Sequence, residues 1–181
     1  MRSRGLEAGL AWLDAFEVHL CLPCNHMARF RPVSSYFRLV SRLGDGPLWY
    51  ALLAALPLVL GQAALLPTVH MAATALAGVA IYKGIKRAML RERPFASHVN
   101  VQAWVEPLDR YSFPSGHTLH AALFLTMLAH YFPVIALIIL PFGLSVAASR
   151  VILGLHYPSD VVIGALMGWT LACLSLAVLQ V

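Results

Sequence analysis

Uncharged apolar stretches of bilayer-crossing length recur along this chain, and they restrict what it can fold into. A helix crosses the hydrocarbon core with about 20 mostly apolar residues. Leu48–Leu66 supplies 19 residues without a charge and with one proline, Pro57, which a membrane helix accommodates by kinking. Val69–Tyr82 is apolar, and its helix continues through Lys83, Lys86 and Arg87, because long basic side chains snorkel or face a polar cavity. It is expected to stop near Arg93, since Pro94 disfavours helix in the residue before it. Thr118–Phe132, Pro133 to about Leu155, and Val161–Val181 complete the set. The expectation is an all-α integral membrane helical bundle with five transmembrane spans and tight turns near residues 67 and 132.

The first 40 residues differ. Leu6, Leu10, Leu13, Phe16 and Leu20 recur at helical spacing with Glu7, Asp14 and Glu17 between them. That pattern describes an N-terminal amphipathic helix lying in the interface, or a sixth span if the helix crosses. The acids interrupt the apolar stretch and no small-residue cleavage site follows, which argues against a signal peptide. Residues 24–47 and 94–115 read as loops, and the second is long for a membrane connection, as functional loops often are. The chain therefore divides into residues 1–44, amphipathic helix and loop, and residues 45–181, the membrane domain. No internal repeat is evident.

Charge is scarce and sorted. Hydrophobic residues make up 60% of the chain and charged ones 12%, about half the charged share of a soluble domain. An ordinary soluble domain is thereby excluded, and so is a disordered chain. The 13 Lys and Arg against 8 Asp and Glu leave a net charge of +5. Of the 13 cations, all but Arg2 and Arg4 at the start of the chain fall at or near the ends of spans two and four, the starts of spans one, three and five, or their loops. The Gly61–His70 turn, the turn near Pro133 and the C-terminal end carry none. The partners this fits are the bilayer and an anionic head group, not nucleic acid. Positive charge usually marks the cytoplasmic side, and part of it can equally form a surface for an anionic head group.

Three clusters occupy the charged face. Lys86 and Arg93-Pro94 have six residues between the cations. On one continuous helix they would share a face, roughly 10 Å apart along the axis. They are either snorkelling cations or the seat of an anion. Pro114-Ser115-Gly116-His117 opens span three, with Ser115 as N-cap, Gly116 allowing close backbone approach, and free N–H groups suited to an anion. The plain alternative is a capped helix followed by an interfacial histidine. Ser149-Arg150, five residues, His156, three residues and Asp160 form the third cluster. Asp160 could accept from one nitrogen of His156, fixing its tautomer and raising the basicity of the other; a structural His–Asp pair is the alternative. Together they supply what phosphoryl transfer needs: cationic and backbone donors, a nucleophile, and an acid for the leaving oxygen.

Lys86-x6-Arg93-Pro94, Pro114-Ser115-Gly116-His117 and Ser149-Arg150-x5-His156-x3-Asp160 resemble the three-part signature of the type 2 phosphatidic acid phosphatase superfamily, complete and in order over about residues 45–180. The resemblance implies a metal-independent lipid phosphatase without a cofactor, similar to the short bacterial integral membrane members. It implies that His156 is the nucleophile and forms a phosphohistidine, that Asp160 orients it, and that His117 protonates the leaving oxygen. Lys86, Arg93, Ser115, Gly116 and Arg150 would hold the phosphate. Arg42-x-Gly44-Asp45-Gly46, before span one, also looks similar to a motif of those members, though the motif is weak. Undecaprenyl diphosphate is the favoured substrate. Phosphatidylglycerophosphate, phosphatidic acid and a lipid A phosphate fit as well, and a non-catalytic lipid-phosphate binder or flippase is the reading from another class. The relatives imply an active site on the periplasmic face of a bacterial inner membrane, whereas charge counting puts it in the cytoplasm.

A metal phosphatase is a rival mechanism, with His117, His120, His156 and Asp160 as possible ligands. Lys86, Arg93 and Arg150 would repel a cation there, and divalent phosphatase sites normally need more carboxylates. Cys21-Leu22-Pro23-Cys24 is a C-x-x-C without the following His of haem attachment. It is a redox pair, a structural disulfide or two interfacial thiols. Cys173 and the methionines read as packing. Trp12, Trp49 and Trp104 could mark the interface belt, and Trp104, in the long loop, could also touch substrate.

Overall fold

The computed structural model describes residues 4–179, and side chains from Ala15 onward. Within them lie eight α-helices and one 3-10 turn, with no strand: α1 (Arg4–Met27), α2 (Arg31–Gly44), α3 (Pro47–Leu60), the 3-10 turn Gln62–Ala64, α4 (Leu65–Met89), the single turn α5 (Pro94–Ser97), α6 (Gly116–Tyr131), α7 (Pro133–Ile152) and α8 (Pro158–Leu179). Helices α3, α5, α7 and α8 each begin on a proline, whose fixed φ and missing N–H suit the first helical position. The chain is an all-α membrane bundle, as expected.

Helix α6 is its axis. From Gly116 to Leu128 none of its residues is exposed. It packs on α8, α7 and α4, and Leu119, Leu123, Phe124, Met127 and Leu128 form the middle of the core. A helix that is apolar all round belongs at such a centre. The outer helices turn Leu58, Leu76, Leu137, Ile138, Leu166 and Trp169 outward. In water so much contiguous exposed apolar surface would be untenable; in lipid it is the required coat.

Three segments are long and apolar enough to cross a membrane: Gln62–Ser97, Pro133–Ile152 and Pro158–Leu179. Helices α2 and α3, bent by 56°, pass the same test only as a pair. Of the five expected spans, α3 with 14 residues and α6 with 16 therefore fall short alone. At 1.5 Å per residue α6 is about 24 Å long, a length tolerable because protein, rather than lipid, surrounds it.

Three expectations about boundaries and one about a tryptophan are corrected. Residues 24–47 are not a loop, because α1 runs to Met27 and α2 fills most of the remainder. The three arginines of α2 hid its periodicity: Ser34, Val40, Ser41 and Gly44 are buried, and the helix packs on α7. The turn expected near residue 67 lies at Gly61–Ala64, and Pro67 sits inside the first turn of α4, where a proline removes no hydrogen bond. Helix α4 ends at Met89, because Leu90 adopts a left-handed conformation at φ 46°. Arg93 is thus not on the helix of Lys86. Trp49 is not in an interface belt; it is buried and stacked on Phe124 with centroids 4.8 Å apart.

Helix α1 packs against α7 and α8. Its described portion turns Phe16 and Leu20 outward and Glu17 and Cys21 inward. The side chains of Leu6, Glu7, Leu10, Trp12, Leu13 and Asp14 lie outside those described. Asn25 fastens the long loop, with Nδ2 donating to the carbonyls of Gln102 (2.9 Å) and Ile152 (3.1 Å) and Oδ1 accepting from Gln102 N–H (2.9 Å). At the opposite end of the bundle His70 shares hydrogen bonds with Tyr131 (2.6 Å) and Ser175 (2.7 Å), tying α4, α6 and α8 together.

Candidate active site

The three clusters converge, although the chain brings them together by routes the sequence did not show. A cavity of about 590 Å³ opens between α3, α4 and α6. Lys86, Arg93, Gly116, His117, Arg150 and His156 line its polar end. Leu53, Ala72, Leu76 and Val79 line the other.

Lys86 comes from the last turn of α4, and Arg93 from the extended segment after it. Both are buried. They meet at Asp109, a residue of the long loop that the sequence did not single out. Lys86 Nζ donates to both of its carboxylate oxygens at 2.9 Å, and Arg93 Nη2 to one of them at 2.7 Å. Arg93 Nε also donates to the Asp109 carbonyl at 3.0 Å. Burial raises the carboxyl's pKa, but the two cations outweigh it and hold Asp109 below the usual carboxylate range. A carboxylate therefore sits where an anionic group would engage both cations.

Arg150, near the end of α7, donates from Nη1 to Ser41 Oγ of α2 at 2.7 Å. Its Nε is buried without a partner among the described residues. A buried unsatisfied guanidinium donor is costly, and an anion in the cavity would relieve it.

His156 is buried in the short connection between α7 and α8. Arg93 Nη1 lies 3.2 Å from its Nε2. A guanidinium can only donate, so Nε2 must accept, and the ring proton sits on Nδ1. That nitrogen is 3.6 Å from Asp160 Oδ2, close enough for attraction but long for a hydrogen bond. The tautomer is the one a nucleophilic Nε2 requires. Burial first, and then the neighbouring Arg93 and Arg150, hold the imidazole pKa well below its ordinary value, so the ring is neutral. Asp160 itself, in the first turn of α8, accepts from Tyr157 N–H at 2.9 Å and from Arg91 Nη1 at 2.8 Å.

His117 lies in the first turn of α6 and pairs through Nε2 with Asp45. Asp45 stands at the corner between α2 and α3, where Gly46 adopts φ 147°. A Cβ on Gly46 would lie 2.7 Å from the Tyr50 ring, so only glycine permits this corner. Ser115 is the α6 N-cap, as expected, accepting from Thr118 N–H. It is fully buried, its N–H goes to the Asp160 carbonyl at 3.1 Å, and it does not line the cavity. Gly116 does line it, and the first-turn N–H groups there have no acceptor within the helix.

Among the remaining sequence candidates, His120 also lines the cavity, but its two ring nitrogens face the carbonyls of Gly116 (2.8 Å) and Ala75 (3.2 Å). Among the described residues no three His, Cys, Asp or Glu side chains gather as a metal site would need. Trp104 does not line the cavity; Arg38 lies 5.7 Å from its ring centroid. Cys21 and Cys24 are both free, and burial, then Glu17, pushes the Cys21 thiol up to about 12. No sequence signal marked Asp109, Glu17, Arg91 or Ser41, which reach the site only through tertiary contact. Asp45 was visible only as part of a weak motif.

This arrangement has relatives. The family model of the PAP2 superfamily matches residues 66–181, well over half of the chain. The chain belongs to the PAP2 superfamily. Among curated proteins it is 42% identical over 82 residues to decaprenylphosphoryl-5-phosphoribose phosphatase of Mycolicibacterium smegmatis, covering 44% of this chain and 42% of that one. It is 33% identical over 109 residues to phosphatidylglycerophosphatase B of Haemophilus influenzae, covering 52% and 45%. It is 34% identical over 90 residues to lipid A 1-phosphatase of Rhizobium etli, covering 47% and 39%. The chain thus spans less than half the length of these relatives. Among solved structures, LpxE of Aquifex aeolicus superposes with a TM-score of 0.76 at 26% identity, covering 88% of this chain and 93% of that one. The first transmembrane PAP2 type phosphatidylglycerolphosphate phosphatase from Bacillus subtilis gives 0.72 at 19% identity over 99% and 88%, a likeness of fold. The PAP2 chain described here is accordingly a membrane protein.

Proposed function

We propose that this PAP2 chain is an integral membrane lipid phosphatase acting through a phosphohistidine on His156. One observation carries the reading. A neutral histidine, with its lone pair on the cavity side and a carboxylate behind it, stands among three buried cations in a cavity that Leu53, Ala72, Leu76 and Val79 also line. The apolar end suits a lipid chain, and the cationic end its phosphate.

In this mechanism the phosphate displaces Asp109 from Lys86 and Arg93 and takes donors from Arg150 and Gly116. Arg93 moves its Nη1 from His156 to a phosphate oxygen. His156 Nε2 then attacks phosphorus, the bond from phosphorus to the lipid oxygen breaks, and His117 delivers a proton to that oxygen. Asp160 stabilises the charge that develops on the ring. Water next attacks the phosphohistidine while His117 takes its proton, the P–N bond breaks, and inorganic phosphate leaves. Ser115 acts as the cap that sets the start of α6. Every donor in this scheme is a side chain or backbone group of the chain itself, with no cofactor or metal.

Within this class we favour a polyprenyl diphosphate such as undecaprenyl diphosphate, and we assign the active face to the periplasmic side of a bacterial inner membrane. The polyprenyl lipid in the name of the mycolicibacterial relative supports the first choice. The use of Lys86, Arg93 and Arg150 at the site supports the second, because cations retained for chemistry weaken the charge rule. Single-turnover trapping of labelled phosphate on the enzyme tests the mechanism. Label on His156, lost in His156→Ala, is expected. Full turnover by that variant, or activity abolished by chelator and restored by metal, overturns it. Released phosphate from a panel of the four lipid classes decides the substrate.

A further inference from the structure

Two charged residues outside the signature converge on the back of the His–Asp pair. Asp160 is completely buried, and a buried carboxylate needs a charge partner or it takes up a proton. The partner is Arg91, whose Nη1 lies 2.8 Å from Oδ1. Arg91 is itself held on three sides. Its Nη2 lies 2.5 Å from Glu17 Oε2, its Nη1 also donates to Ser159 Oγ at 2.8 Å, and its guanidinium lies 4.0 Å from the Tyr157 ring centroid. The other carboxylate oxygen of Glu17 accepts the Ser159 N–H at 2.8 Å, one of the N–H groups that the first turn of α8 leaves without an intrahelical acceptor. Glu17 thus grips Arg91 and the start of the helix that carries Asp160.

We propose that Glu17 and Arg91 are positioning residues for catalysis. The chain Glu17–Arg91–Asp160–His156 keeps Asp160 ionised and aimed at His156 Nδ1, and so keeps the lone pair on Nε2. The inference rests on His156 being the nucleophile. It gives α1 a place in the chemistry: the helix contributes a carboxylate three contacts behind the reacting histidine. Arg91 here differs from Lys86, Arg93 and Arg150 in kind, because it faces away from the cavity and does not line it.

The test uses the full-length enzyme in detergent micelles or proteoliposomes. Positioning predicts a split between kcat and KM. Arg91→Gln should lower kcat and the single-turnover rate of phosphohistidine formation by about 100-fold, as misplacement of a catalytic group does, with KM changed by less than threefold. Glu17→Gln should lower both rates by about tenfold, and Arg91→Lys should fall between wild type and Arg91→Gln. The deciding measurement is the combination with Asp160→Asn, because residues acting as one unit are strongly non-additive. In that background each substitution should cost less than a further twofold. If each costs its full factor again, the pair serves the fold only, and the proposal fails. A raised KM at unchanged kcat would make Arg91 a phosphate ligand and also overturn it. Should Arg91→Gln fail to fold, Arg91→Lys and Glu17→Gln carry the same comparison. Turnover surviving in His156→Ala would refute the phosphohistidine itself. An inactive His156→Ala beside wild-type kcat in Glu17→Gln and Arg91→Lys would refute only the positioning role.

Discussion

The register of α6 against α8 can be tested with a single methyl group. His117 rides on α6 and Asp160 on α8, and Gly168 lies on the same face of α8 further into the membrane. A Cβ at Gly168 would stand 2.0 Å from the Leu119 carbonyl oxygen, 2.9 Å from its carbon and 3.1 Å from Cα. All three are backbone atoms of a central helix, so no side chain can swing aside. Reaching ordinary contact at 3.4 Å takes a separation of about 1.4 Å. Overpacking of this kind costs about 1–3 kcal/mol, and the rigid backbone puts Gly168→Ala at the upper end. For a chain of this length that is a fall in Tm of roughly 5–10 °C. A displacement of about 1 Å between reacting groups is also enough to cost about 100-fold in rate. The assay is a thermal melt of the solubilised protein beside kcat on a lipid phosphate. Gly84→Ala serves as control, because nothing lies within 4 Å of its added Cβ. A Tm within 2 °C of wild type (below about 1 kcal/mol) would refute the packing argument. A lowered Tm with full kcat would show that this interface does not set the spacing of the catalytic groups.

Asp109→Asn removes the carboxylate that competes for Lys86 and Arg93. Because Asp109 is partly exposed, the gain is modest, and KM should fall by about three- to tenfold, at or just above the usual range of a partly solvated ion pair; a rise in KM would refute the competition. The lowered pKa of His156 means that the free site protonates only well below pH 6.5. Nitrogen NMR of labelled His156 should therefore show neutral imidazole at pH 5.5, and a midpoint at 6.5 or above would contradict the burial argument. With its thiol near 12, Cys21 should resist maleimide at pH 7.4 while the less buried Cys24 reacts. An impermeant maleimide on intact cells of a Cys21→Ala variant then reports the side of the membrane, and labelling only after lysis would overturn the periplasmic assignment.

Parts of the candidate site were legible because local spacing carries them. Ser115 reads as a cap and proves to be one, and His156 and Asp160 lie four residues apart and do face each other. Lys86 and Arg93 were legible as residues but not as geometry. A continuous helix predicts a shared face, whereas Leu90 breaks the helix and the two cations meet through Asp109. Helix α2 was illegible because its arginines mask a short amphipathic pattern whose meaning depends on α7 beside it. Trp49 read as an interface residue for a similar reason, since only the packing of α3 on α6 buries it.

The sequence by itself determined the solvent of this protein and the chemistry it can support. Both follow from composition along one dimension: long uncharged runs need lipid, and scarce cations beside histidines need an anion. Tertiary structure alone decided what opposes those cations. Asp45, Asp109 and Glu17 are far in sequence from His117, Lys86 and Arg91, and no local period links them. A buried charge must find its partner in space, and that partner is chosen by how helices pack, not by their spacing along the chain.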